Sequence, residues 1–69
     1  MRAKDAVLQK YPEADTLCRR MMGATFYVVV EDPYKRRMVL GEATGSASKA
    51  WTNAKKRIEA GAETYWLSK

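Results

Sequence analysis

The chain has 69 residues, thirteen Lys and Arg against eight Asp and Glu, a net charge of +5, no histidine and one cysteine. That length supports one domain around one small core, with little room for a catalytic cleft beside it. Without histidine the commonest general base near neutral pH is missing, so a non-catalytic protein is expected, with no cofactor and no Cys/His metal site.

The positive balance favours a polyanionic partner, either nucleic acid or the acidic surface of another protein. Cys18 cannot form an internal disulfide and reads as a packed thiol, since no histidine is present to activate it. Residues 1–15 lack the apolar core of a signal peptide, and no apolar run approaches the ~18 residues of a membrane span. A soluble cytoplasmic protein is the expectation.

Residues 2–10, RAKDAVLQK, are good helix formers, with Ala3, Val7 and Tyr11 along one side and Leu8 widening the stripe. Pro12 lacks an amide hydrogen and disfavours helical geometry at Tyr11, so the helix should stop there. The next stretch, PEADTLCRRMMG, admits two readings. Ala14, Leu17, Cys18, Met21 and Met22 recur at helical spacing, with Pro12 first and Gly23 after. A hairpin alone is a weak sheet, however, and a strand over residues 15–21 gives two helices a better layer to pack on. The strand is the preferred reading.

Residues 24–32, ATFYVVVED, form the clearest strand, with Phe26, Val28 and Val30 on one face and Tyr27 and Val29 on the other. EDPYKRR reads as a turn, with Asp32 leading and Pro33 where a preset φ is wanted. The chain returns as RRMVLGEA, with Met38 and Leu40 inward, and the strand is expected to end at Gly41. A last helix should run from about Ala47 to Ala60, with Ala47, Ala50, Trp51, Ala54 and Ile58 on its buried face. Ser46 is its expected N-cap and Gly61 its left-handed stop. The tail ETYWLSK carries Tyr65, Trp66 and Leu67, which could cover the core, add an edge strand or dock on a partner.

The expected fold is a single two-layer α+β domain of order α-β-β-β-α. Both helices cover one face of a three-stranded antiparallel sheet. The other face, bearing Tyr27 and Val29, is left less covered and open to a second copy of the chain.

Three places carry candidate chemistry. The loop through Gly41, Gly45, Ser46 and Ser48 offers amides and hydroxyls to an anion at a helix start. It is not a P-loop, because the glycines are too close and no Gly-Lys-Ser/Thr follows. On the last helix, Lys49, Asn53 and Lys56 form one strip, bordered by Arg57, with Lys55 further round. Consecutive Lys55, Lys56 and Arg57 suit a phosphate backbone, and Asn53 suits a base edge or phosphate. At the hairpin turn, Tyr34, Lys35, Arg36 and Arg37 join an aromatic to three cations, a combination able to straddle a groove or stack on a base. Arg19 and Arg20 would support that patch from a neighbouring strand. The plainer uses are a solvated helix face and a charged tip that discourages edge-to-edge pairing. Glu31, Asp32 and Glu42 match no metal loop. Binding to DNA or RNA without strong sequence preference is the expected function; docking on an acidic host or phage protein is the alternative.

The segments LQKYPEA, FYVVV and LGEATGSASKAWTNAKKRI resemble small uncharacterised proteins encoded by bacteriophages and prophages. That resemblance implies a phage setting rather than an activity. The element order is also similar to that of double-stranded RNA-binding domains, with SKAWTNAKK where that family starts its basic helix. The likeness places Lys49 at a phosphate-contacting position, but Ala50 replaces the adjacent lysine. The family's minor-groove residues on its first helix have no counterpart here.

Overall fold

The structure, a computed structural model, describes residues 2–20, 23–34 and 36–67. The elements in chain order are α1 (Ala3–Lys10), β1 (Asp15–Arg20), β2 (Ala24–Glu31), β3 (Arg37–Thr44), α2 (Ala47–Glu59) and β4 (Tyr65–Leu67). The strands make one antiparallel sheet in the order β1-β2-β3-β4. The α+β class therefore holds, and the sheet has four strands where three were expected. The tail supplies the fourth: Tyr65 pairs with Val39 and Leu67 with Arg37, which satisfies part of the β3 edge. Asp15–Arg20 is a strand rather than a helix; Met21 and Met22 lie outside the described residues.

The helix boundaries follow local chemistry. The Tyr11 amide still bonds the Val7 carbonyl at 2.8 Å before Pro12 ends α1, and the Ala14 amide then bonds the Tyr11 carbonyl at 3.0 Å to turn the chain into β1. Ser46 caps α2, its Oγ accepting from the Lys49 amide at 3.4 Å. At the far end Gly61 takes φ +69°, its amide bonds Ile58 O at 3.1 Å, and the Ala62 amide bonds Arg57 O at 2.9 Å. This paired left-handed stop is the one that glycine permits most easily.

Val7, Val28, Leu40, Ala50, Trp51 and Ala54 form the core between the helices and the sheet, flanked by Leu8, Tyr11, Phe26, Val30, Met38 and Ile58. The strand β3 does not end at Gly41. Val28 pairs with Gly41 but Val29 pairs with Val39, so Leu40 is an extra residue and β3 continues past the bulge to Thr44. The bulge turns Leu40 and Gly41 both toward the helices. A Cβ placed on Gly41 would lie 2.8 Å from the Ala54 Cβ and nearer still to the Ala54 backbone. Glycine here lets α2 lie close against the sheet.

One burial expectation needs correction. Cys18 is exposed rather than packed. It sits on edge strand β1, whose helix-side residues Thr16, Cys18 and Arg20 are all exposed, so no helix stands over them. The face away from the helices is the less covered one, as expected, yet Val29 and Val39 are buried there. Alternation along the paired strands puts Leu17, Tyr27 and Tyr65 on that face beside them.

The two helices run parallel. Arg2, Ala3 and Lys4 share a groove with Ser48, Trp51 and Thr52, whereas Ala6, Val7 and Lys10 share one with Lys55, Ile58 and Glu59. Among the described residues no helix is long and apolar enough to cross a membrane.

Candidate nucleic-acid interface

Topology decides which cations can act together. Strand β3 carries the chain away from the hairpin turn at residues 32–36, and α2 begins only after Thr44. The start of α2 therefore lies roughly 23 Å from the hairpin, at ~3.3 Å per strand residue. The Gly45 amide bonds the Ala24 carbonyl at 2.8 Å, which places the β1–β2 turn at that same end. Because α1 is parallel to α2, it begins there too. One end of the domain thus gathers Arg2, Lys4, Arg20, Ser46, Ser48 and Lys49. Asp5 is the carboxylate that α1 contributes in its first turn. Arg19, one residue from Arg20, faces the other side of the sheet. The hairpin half holds Glu13, Asp15, Glu31, Asp32, Glu59 and Glu63, and Glu42 lies between the two ends in the groove lined by Lys56 and Arg57. The hairpin patch and the start of α2 do not merge.

Among the described residues the hairpin cations Arg36 and Arg37 are already engaged. Arg36 Nε meets Asp32 Oδ2 at 2.9 Å, while Asp32 Oδ1 accepts from the amides of Tyr34 at 3.0 Å and Arg36 at 2.7 Å. Partial burial works against charge on the Asp32 carboxyl. The Arg36 amide and guanidinium, with the Tyr34 amide, outweigh it and hold its pKa below the usual carboxylate range. The Arg36 guanidinium also lies over the Trp66 ring at 4.6 Å and the Tyr34 ring at 5.6 Å. Arg37 faces Glu31 across the strands at 4.0 Å. This cluster locks the turn and docks the tail onto it. Tyr34 remains 80% exposed and Trp66 53% exposed; Lys35 lies outside the described residues.

The three consecutive cations of α2 point three ways, as successive helix residues must. Lys55 turns toward α1, lines the groove with Lys10, and pairs with Glu59 at 3.5 Å. Arg57 turns toward β4, where its Nη2 donates to the Glu63 carbonyl at 2.6 Å and its guanidinium lies 5.8 Å from the Tyr65 ring. Lys56 points outward between them. Asn53 Nδ2 donates to the Glu42 carbonyl at 2.8 Å, so this side chain ties the helix to β3. Beside it, burial pushes the Tyr65 phenol up to about 12, with the Glu42 carboxylate and its hydrogen bond adding to the rise.

The α2 cations that remain exposed are Lys49 and Lys56, on the same side and about 10.5 Å apart along the axis at 1.5 Å per residue. The groove between the helix starts adds Arg2 and Lys4, which sequence reasoning missed. The Lys4 ammonium lies 5.6 Å from the centre of the Trp51 ring. No sequence signal tells that α1 runs parallel to α2, and only that orientation brings these cations to Lys49. Among the described residues no cluster of three or more His, Cys, Asp or Glu could hold a metal ion.

Comparison with protein-family models, with curated proteins and with solved structures returns no match to this chain.

Proposed function

We propose that the protein binds nucleic acid through the outward side of α2 and the end at which both helices begin. Lys49 and Lys56 are the principal phosphate contacts, with Arg2, Lys4 and Arg20 flanking them. One observation supports this reading above the others. Among the described residues Arg2, Lys4, Lys49 and Lys56 have no carboxylate partner, whereas Arg36, Arg37 and Lys55 each have one. A phosphate arriving at Lys49 displaces water and counter-ions; one arriving at Arg36 meets a guanidinium whose charge Asp32 already offsets. The first exchange is favourable through counter-ion release, and the second is close to neutral.

The groups on this surface read charge rather than sequence. Asn53 Nδ2 is directed to the Glu42 carbonyl, and the Thr52 hydroxyl donates to the Ser48 carbonyl at 3.1 Å. Binding is therefore tolerant of sequence and steeply dependent on salt.

The test is fluorescence anisotropy with labelled duplex DNA, duplex RNA and single strands at ~50 mM salt, where electrostatic binding is strong. Lys49→Glu with Lys56→Glu should weaken binding roughly tenfold or more and reduce the salt slope by about 2. Arg36→Ala should leave affinity within about twofold. No binding to any of these nucleic acids, or binding indifferent to the double reversal, overturns the proposal. Equal affinity for polyglutamate would assign the surface to an acidic protein instead.

A further inference from the structure

The sheet has two edges, and the chain treats them differently. Strand β4 covers β3 from Arg37 to Val39, and beyond it the Asn53 side chain takes the Glu42 carbonyl. Strand β1, six residues without proline, has no covering element among the described residues. An uncovered edge of this length is a template for another strand.

We infer that this edge is a self-association surface. It pairs antiparallel with β1 of a second copy, about a two-fold axis through Leu17 and perpendicular to the sheet. Three observations converge on that arrangement. The first is which backbone groups face outward. The Ala24 carbonyl is used by Gly45 on the β3 side, so by alternation Thr25, Tyr27 and Val29 point their groups at β1. Their partners Arg19, Leu17 and Asp15 answer them, which leaves the groups of Thr16, Cys18 and Arg20 directed away from the sheet. The Thr16 amide is held meanwhile by the Asp15 side chain at 2.8 Å. Pairing exchanges that bond for the Cys18 carbonyl of the second copy.

The second is charge. With Leu17 on the axis, Leu17 meets Leu17, and Asp15 stands opposite Arg19 of the other copy, twice by symmetry. These are non-hydrogen-bonded pairs, the closer of the two antiparallel kinds, where opposite charges and apolar side chains gain most. Arg19 already makes contacts within its own chain, and the new carboxylate adds to them. Moving the axis to Cys18 sets Arg19 against Leu17; moving it to Thr16 sets Asp15 against Leu17. Neither alternative matches charge with charge across the axis as well as leucine with leucine.

The third is room. Thr16, Cys18 and Arg20 are exposed on the helix side, so a second copy meets no helix as it approaches. A perpendicular axis keeps both helix layers on one side of an eight-stranded sheet. The outward faces of both α2 helices then look the same way. The Leu17 contact also extends the apolar row of Val29 and Val39 on the opposite face. The association stands on edge geometry and does not depend on what α2 binds.

Two six-residue edges make an interface below the size of a standard stable complex, so the dimer is weak, with a dissociation constant on the order of 0.1 mM. Sedimentation velocity from ~0.01 to ~1 mM should show the sedimentation coefficient rising with concentration. Asp15→Arg alone and Arg19→Asp alone each set like charges opposite one another twice, and each should weaken the dimer roughly tenfold or more. Both changes in one chain restore opposite pairs and should return the affinity to within about threefold of the parent. Circular dichroism confirms that each variant is folded. Leu17→Cys in a Cys18→Ser background should form an intermolecular disulfide rapidly on mild oxidation, since paired residues on the axis lie ~4.5 Å apart. A monomer throughout, a double variant as weak as either single one, or faster crosslinking through the parent Cys18 than through Leu17→Cys each overturns the inference.

Discussion

Gly41→Ala adds one methyl group at the place where α2 touches the sheet. The backbone at Gly41 is not in the left-handed region, so conformation alone does not demand glycine. The conflict is spatial: the new Cβ falls 2.8 Å from the Ala54 Cβ and inside contact distance of the Ala54 backbone. No flexible side-chain end can swing aside, and relief requires the whole helix to lift. Ala50, Trp51 and Ala54, all buried, would lift with it. Over-packing costs about 1–3 kcal/mol, and a clash against helix backbone belongs near ~3 kcal/mol. In a domain of this size each 1 kcal/mol moves Tm by roughly 4–8 °C, so a loss of roughly 12–24 °C is expected. Gly61→Ala is the control, because it meets no atom within 4 Å but holds φ +69°. Its cost is about 1 kcal/mol of backbone strain. Thermal melts followed by circular dichroism and by Trp51 fluorescence compare the two. If Gly41→Ala melts at or above Gly61→Ala, the close approach of α2 is misassigned.

Ser46→Ala removes the α2 cap, and because the bond is long at 3.4 Å the loss should sit near ~0.5 kcal/mol, with Ser46→Asp restoring it in urea titrations. The Tyr65 phenol, raised to about 12, favours the neutral form in the folded chain. Its contribution to holding β4 is complete below the ordinary tyrosine range near ~10 and fades as pH rises toward the folded value. Tyrosinate absorbance should show this late titration, and Tyr65→Phe should abolish it. Asp32 has the opposite sign. Its depressed pKa stabilises the turn above the ordinary carboxylate range near ~3.9, and the effect is lost as pH falls through the folded value. Trp66 fluorescence should report that acid step as Arg36 lets go, and an unchanged step in Asp32→Asn would refute the assignment.

Much of the frame was legible in the sequence because burial imposes a period. Phe26, Val28 and Val30 alternate, Ala50, Trp51, Ala54 and Ile58 recur at helical spacing, and Ser46 and Gly61 mark the helix ends by their own chemistry. Strand β4 was not decidable, since three residues are too few to show a period. The bulge at Leu40 was hidden because a bulge breaks the alternation by which strands are read; only the facing Ala54 reveals why Gly41 is there. Cys18 was misjudged because thiols are usually packed, and nothing in the sequence shows β1 to be an edge. Among the candidate site residues, composition located the cations without their partners. Glu31 and Arg37 meet only through the hairpin register, and Asn53 reaches Glu42 only across the helix–sheet contact. Arg2 and Lys4 join Lys49 through helix direction, a property that no local pattern encodes.

The central claim is that phosphate meets this chain on α2 and at the helix starts, not at the hairpin. Amide chemical-shift mapping of the isotope-labelled protein against duplex and single-stranded oligonucleotides at low salt tests it most directly. The account predicts the largest changes at Lys4, Ser48, Lys49, Thr52 and Lys56, with Asp32, Tyr34 and Arg36 nearly still. Changes centred on the hairpin, or scattered evenly over the surface, would contradict it.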